Sequence, residues 1–141
     1  MSFLDFFKEK IFVSYDYNHD RRYKNLLVAW AANEQFSFTF YDSSVDVSVN
    51  STKAGPVKRI ISQRIRKSDY LLCIIGKYTY RSSWVAWEIE KAKELNIPLI
   101  GVKINRKNKT PKGLLGSKAS WANAFKFGSI KKALQNANDV F

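Results

Sequence analysis

The sequence predicts a single α/β domain, residues 1–141, built on a five-stranded parallel sheet. Segments of strand character alternate five times with segments of helical character, the pattern of a sheet wound with right-handed crossovers. The third strand candidate, YLLCII at 70–75, is apolar throughout, as a strand covered on both faces is. The chain of 141 residues also has the length of one domain able to bury a substantial core.

Taken in order, KIFVSY at 10–15 is a short β-branched and aromatic run. Polar residues 16–20 end it, and Leu26, Leu27, Trp30 and Ala31 then recur at helical spacing. FSFTFYD at 36–42 reads as the second strand, followed by a long polar loop over 42–53. Pro56 suits the first turn of a second helix whose apolar stripe is Val57, Ile60, Ile61 and Ile65. After the third strand, Ser82 or Ser83 caps a helix with Val85, Ile89 and Ala92 inside, running to about Asn96. PLIGVKI at 98–104 is the fourth strand, 105–118 a basic loop, AFKF at 124–127 the fifth strand, and SIKKALQNA at 129–137 the last helix.

Composition removes whole classes of function. The longest apolar runs, Leu26–Ala32 and Tyr70–Gly76, fall far short of the ~20 residues that span a bilayer, and the amino terminus does not read as a secretory signal. A cytoplasmic protein without a membrane span is therefore expected. Cys73 is the single cysteine and His19 the single histidine, so disulfides, cysteine zinc sites, Cys/His dyads and serine triads drop out, and no metal site is expected. The six glycines fit neither GxGxxG nor GxxxxGK[ST], which removes the dinucleotide fingerprint and the P-loop. A phospho-receiver would need an aspartate where Ile75 and Gly76 stand. Net charge is +12, and between Glu94 and Asp139 there are nine basic residues and no acid. Such a field attracts any polyanion. With no recognition motif in the 103–132 region, nucleic acid is not the expected partner.

In doubly wound folds ligands bind beyond the carboxyl ends of the strands, where strand order reverses. For a flavodoxin-like order that point lies between strands one and three, flanked by Ser14–Asp16 and Gly76–Ser83. Glu88, in the helix after strand three, is the acid nearest that crevice, where it is expected to contribute little to stability. In SSWVAWEIEKA, 82–92, Trp84 and Glu88 are four apart and share a helix face, while Trp87 lies about 100° away around the helix. An acid beside an aromatic suits cleavage of an N-glycosidic bond: the carboxylate stabilises an oxocarbenium-like ribose and the ring stacks a base. Trp84 is thus expected against a ligand and Trp87 inside the protein. The same spacing equally fits two tryptophans packed on the sheet and a surface acid paired with Lys91 or Lys93.

KIFVSYDYNHD resembles the first box of TIR and TIR-like domains, and IIGKYTYRSSWVAWEIEKA is similar to their strand-three and following-helix box. The run Ile75-Gly76, Thr79, Ser83-Trp84-Val85 and Trp87-Glu88-Ile89 is similar to the TIR-like proteins of the bacterial Thoeris anti-phage system. The two boxes cover roughly residues 10–104. This resemblance implies a flavodoxin-like three-layer fold and NAD as a substrate rather than a bound cofactor, with Glu88 in the position of the catalytic glutamate. It further implies that Ser14, Tyr15, Gly76, Ser83 and Trp84 line the pocket, and that Asp42 and Asp46 lie in the loop after strand two. Loop 43–53 lacks the Arg-Asp-x-x-Pro-Gly pattern of animal signalling TIR domains.

Two kinds of function follow. One is an enzyme of antiviral defence that cleaves NAD and releases a cyclic ADP-ribose-type nucleotide to a separately encoded effector. The other is a non-catalytic domain that assembles through its helices and loops, as in a homo-oligomer, with Glu88 incidental.

Overall fold

A computed structural model describes residues 9–33, 38–42 and 51–139. Along the chain run β1 (Glu9–Ser14), α1 (Tyr17–Ala32), β2 (Phe38–Asp42), α2 (Ala54–Arg66), β3 (Tyr70–Ile75), α3 (Ser83–Glu94), β4 (Leu99–Lys103), β5 (Ser120–Ala122) and α4 (Phe127–Asp139). Short 3-10 turns occupy Thr79–Arg81 and Lys112–Leu114. The strands form one five-stranded sheet of order β2-β1-β3-β4-β5. Every pairing is parallel. This is the flavodoxin-like order, and the reversal falls between β1 and β3 as expected.

Alternation along the strands divides the core into two layers. Ile11 and Val13 of β1, Leu72 and Ile74 of β3, and Ile100 and Val102 of β4 face Leu27 of α1 and Ile130, Ala133 and Leu134 of α4. On the other side Phe12, Leu71, Cys73 and Ile75 pack on Ile61 and Ile65 of α2 and on Val85, Ile89 and Ala92 of α3. All six residues of β3 are buried, which is why that segment carries no polar alternation. Each large side chain buried there stabilises the fold by about 1.5–3 kcal/mol. No helix among the described residues is long and apolar enough to cross a membrane.

The helices differ from the expected stripes in detail. In α2 the buried face is Ala54, Ile61 and Ile65 with Val57 beside it, and Ile60, one residue off that line, is 51% exposed. Leu26 of α1 is likewise turned outward, while Leu27 is fully buried. Ser82 is the cap of α3, accepting from the Val85 amide at 3.2 Å, and Ser83 is the first helical residue. That helix stops at Glu94, just before Asn96 takes the left-handed conformation (φ 58°) that favours a chain reversal.

The fifth strand is not AFKF. It is Ser120–Ala122, paired with β4 through Ile100–Val102. Phe125 and Phe127 have the spacing of a strand face, but their rings meet α1: Phe125 lies 5.1 Å from Tyr23 and 5.8 Å from Trp30, and Phe127 lies 6.0 Å from Trp30. Phe127 already belongs to α4. The pairing goes to Ser120–Ala122 because the Trp121 ring lies over Gly101 of β4, where a Cβ would come within 2.5 Å of it, and because Ser120 Oγ donates to the Ala133 carbonyl at 2.7 Å. Gly101→Ala is therefore expected to push the indole outward and to lower stability by about 1–3 kcal/mol in urea unfolding. An unchanged midpoint would show that Trp121 is not held there.

Candidate functional site

The carboxyl ends of β1 and β3 lie side by side, with Ser14 in register with Cys73. Ser14 falls on the α3 side of the sheet because Val13 before it points to the other layer. From α3, Glu88 reaches down to it. The Ser14 hydroxyl donates to Glu88 Oε1 at 2.7 Å, and both residues are essentially inaccessible, at 0% and 1% exposure. The position of Glu88 thus agrees with the sequence, but its environment does not. It is a buried acid rather than a surface one, so the expectation that it contributes little to stability is withdrawn. Burial first, and then the carboxylates of Glu88 and Asp20, push the Cys73 thiol far above its ordinary range. Cys73 is therefore an inert neighbour of the site.

Tyr15 follows β1, is buried, and faces the α1 layer, with its ring 6.4 Å from Tyr17. Trp84 and Trp87 are both half-buried against the α2/α3 layer. Their rings meet edge to face at 5.8 Å and 81°. Trp87 also carries the ammonium groups of Lys58 and Lys91 near its ring, at 5.7 and 5.6 Å. The two tryptophans are therefore one packed pair. Ser83 is exposed at the start of α3. Asp42 is the last residue of β2, opposite Val13, rather than part of the loop after it. Asp46 lies outside the described residues.

Gly76 holds a second arrangement, which the sequence reading did not foresee. A Cβ at this position would overlap the Asp20 carboxylate. Asp20 is only 6% exposed and receives the Thr79 hydroxyl at 3.4 Å. Thr79 Oγ1 also lies 3.3 Å from the Ile74 carbonyl and accepts the Gly76 amide at 2.8 Å. To make this contact, α1 breaks its helical geometry at Asp20 (φ −118°, ψ 15°). The loops after β1 and β3 are thereby tied together at the strand-order reversal. The available sequence signal was an acid-rich stretch, Asp16 to Asp20, followed far along the chain by a glycine at the end of the most apolar strand.

Two clefts lie away from this crevice. One, of about 480 Å³, includes Ile97, Pro98 and Leu99 at the amino end of β4. The other, of about 530 Å³, is lined by Arg106, Asn123, Ser129 and Lys132 beside β5. Among the described residues no three His, Cys, Asp or Glu side chains come together as a metal-binding set.

A flavodoxin-like sheet with a buried, serine-bonded glutamate at its strand-order reversal defines a TIR-like α/β domain. The sequence matches the family described as Thoeris protein ThsB, TIR-like domain, over residues 12–109, and the chain belongs to that family. A comparison with curated proteins finds no match. Among solved structures, a 2-deoxyribosyltransferase from Bacillus psychrosaccharolyticus is similar at TM-score 0.63 and 16% identity, covering 86% of this chain and 90% of its own. A 3-dehydroquinate dehydratase-like protein from Bifidobacterium longum is similar at TM-score 0.53 and 15% identity, covering 94% and 98%. At these identities the likeness is one of fold.

Asp20 yields a pH prediction. Burial raises its carboxyl above the ordinary 3.8 and Asp16 adds to this, while Thr79, His19 and Arg22 act in the opposite direction. The folded protein therefore holds this proton more tightly than the unfolded chain does. The stability linked to Asp20 is greatest below 3.8 and declines as pH rises through the raised folded value. Asp20→Asn removes this decline, so the mutant's stability relative to wild type should improve as pH rises from 3.8 through the raised folded value. A pH-independent difference in urea midpoints would contradict it.

Proposed function

We infer that this protein cleaves the N-glycosidic bond of NAD, with Glu88 as the catalytic carboxylate, and that the product is a cyclised ADP-ribose-type nucleotide sensed by a separately encoded effector. The observation that carries this reading is the Glu88 carboxylate, buried at the β1/β3 reversal and oriented by the Ser14 hydroxyl. Family membership supports it, because TIR domains include NAD-cleaving members.

In such a reaction the bond between ribose C1′ and the nicotinamide nitrogen breaks. Both electrons leave with nicotinamide, which departs neutral. The positive charge that develops on the ribose is stabilised by Glu88, whose acceptor atoms are already in place and need no reorganisation from water. Ser14 keeps the carboxylate in one rotamer. Cyclisation requires the substrate's own adenine to reach C1′ before water does, so solvent must be excluded. Trp84, on the same helix as Glu88, is the aromatic wall assigned to that task, with Tyr15 facing the α1 layer beyond the end of β1, and Ser83, Gly76 and Asp42 lie at or near the strand ends that frame the crevice. The substrate is NAD, with no further cofactor.

Burial also favours the second reading. A glutamate bonded to β1 from α3 does structural work whether or not it reacts, as it would in a domain that only assembles. The two are separable, because glutamine can still accept the Ser14 hydroxyl and lacks only the charge. Glu88→Gln should keep its folded spectrum and a nearly unchanged Tm while release of nicotinamide from NAD is lost. Glu88→Ala, which leaves Ser14 without this acceptor, should lose about 1–3 kcal/mol of stability as well. Turnover retained in the glutamine variant would end the catalytic assignment.

The nature of the product is tested on its own. Mass spectrometry of infected cells expressing the protein should reveal a nucleotide with the mass of ADP-ribose less one water, absent with Glu88→Gln. Linear ADP-ribose alone, or filtered lysate that never activates the partner effector, would refute the signalling role even if NAD is cleaved.

A further inference from the structure

The turn between β3 and α3, just before the helix that carries Glu88, holds a set of groups of opposite charge. Tyr78 is half-buried there, and its ring is met from three directions. The Arg81 guanidinium stacks over it at 4.4 Å, the Lys77 ammonium lies 5.5 Å from its centre, and the His19 ring lies at 4.5 Å. His19 belongs to α1 and Tyr78 to the turn after β3, so this stack bridges the two loops that flank the strand-order reversal.

The turn is rigidly presented. The Arg81 amide donates to the Tyr78 carbonyl at 3.2 Å, and the Ser82 amide donates to that of Thr79 at 3.0 Å. Thr79 between them is pinned by the Gly76 amide and Asp20. The acids nearby are already engaged. Asp16 holds His19 at 2.6 Å and caps α1 through the Asn18 amide, and Asp20 is turned inward to Thr79. Lys77 and Arg81 are exposed, and among the described residues neither is paired with a carboxylate. Both pack on one aromatic ring, which neutralises neither charge. A guanidinium stacked in this way still offers its planar fork to a phosphate, and the ammonium adds a point charge.

We propose that Lys77 and Arg81, organised on Tyr78, form the subsite that grips the diphosphate of a dinucleotide whose glycosidic bond faces Glu88. This rests on the reading of Glu88 given above. In NAD the diphosphate is separated from the scissile bond by one ribose, and the cationic turn immediately precedes the helix that carries the acid. Selection for a diphosphate would thus be set by residues separate from the one that reacts.

The test compares substrates with and without that group. For Lys77→Gln/Arg81→Gln, KM for NAD should rise about tenfold or more, and the loss of kcat/KM on NAD should exceed the loss on nicotinamide riboside, which lacks phosphate, by a similar factor. Equal losses on the two substrates would overturn the subsite and leave the turn a structural element. Binding supplies a readout that needs no turnover. Isothermal titration of wild type with ADP-ribose should show binding, and the double variant should bind at least tenfold more weakly. If wild-type protein leaves NAD intact yet binds ADP-ribose through Lys77 and Arg81, the catalytic reading fails and the subsite stands. If the double variant binds ADP-ribose as well as wild type does, the subsite is wrong whatever Glu88 does.

Discussion

The hydrogen bond from the Ser14 hydroxyl to Glu88 Oε1 is the constraint around which the site is organised. A buried carboxylate is expensive unless it is bonded, because it loses the water that would otherwise stabilise its charge. Here the acceptor comes from α3 and the donor from the end of β1, so satisfying the charge also sets how α3 lies across the sheet. Packing of Val85 and Ile89 brings the helix to the right face, and the polar pair then fixes its axial position. One contact therefore joins fold and chemistry. That is a common property of buried polar groups, which lose more by being left half-satisfied than by being absent.

The second link, through Asp20, Thr79 and Gly76, acts on the other side of the same junction. Glycine is required there for space, since the Asp20 carboxylate occupies the volume of a side chain at residue 76. Bringing that carboxylate in costs α1 a break in its helical geometry and raises the acid's affinity for a proton. Such local strain is tolerated where surrounding contacts fix the conformation. The result is a turn after β3 that cannot drift away from α1, with Lys77, Tyr78 and Arg81 mounted on it.

The sheet was legible because its signals are strong and local. A wholly apolar β3, alternation of strands and helices, and the position of Glu88 after that strand lead to the strand-order reversal without any three-dimensional information. What could not be read depends on which partner a residue finds. Phe125 and Phe127 have the spacing of a strand but go to Trp30 and Tyr23, and no local pattern distinguishes those outcomes. Trp84 and Trp87 are three apart, about 60° around the helix, so the angle that separates Trp87 from Glu88 did not separate it from Trp84, and the two rings meet. Burial of Glu88 was invisible for a related reason. It depends on Ser14, which is 74 positions away in sequence.

A net charge of +12 invites a reading as a polyanion binder, but the charges are not equivalent. Lys91 and Lys93 are each within reach of an acid on the same helix, Glu94 and Glu90, and such exposed pairs contribute little beyond solubility. Lys103 turns its ammonium to the carbonyls of Arg106 and Asn108 and so holds the loop after β4. Lys77 and Arg81 share a single ring, Tyr78, whereas Lys109 on Tyr80 and Lys131 on Phe127 each sit alone on theirs. Specific recognition of a phosphate needs cations whose positions are fixed before the ligand arrives, since ordering a long side chain on binding offsets much of the attraction gained. By that criterion the turn after β3, with two cations on one ring, is better prepared for a phosphate than the 103–132 region, where Lys109 and Lys131 are held singly.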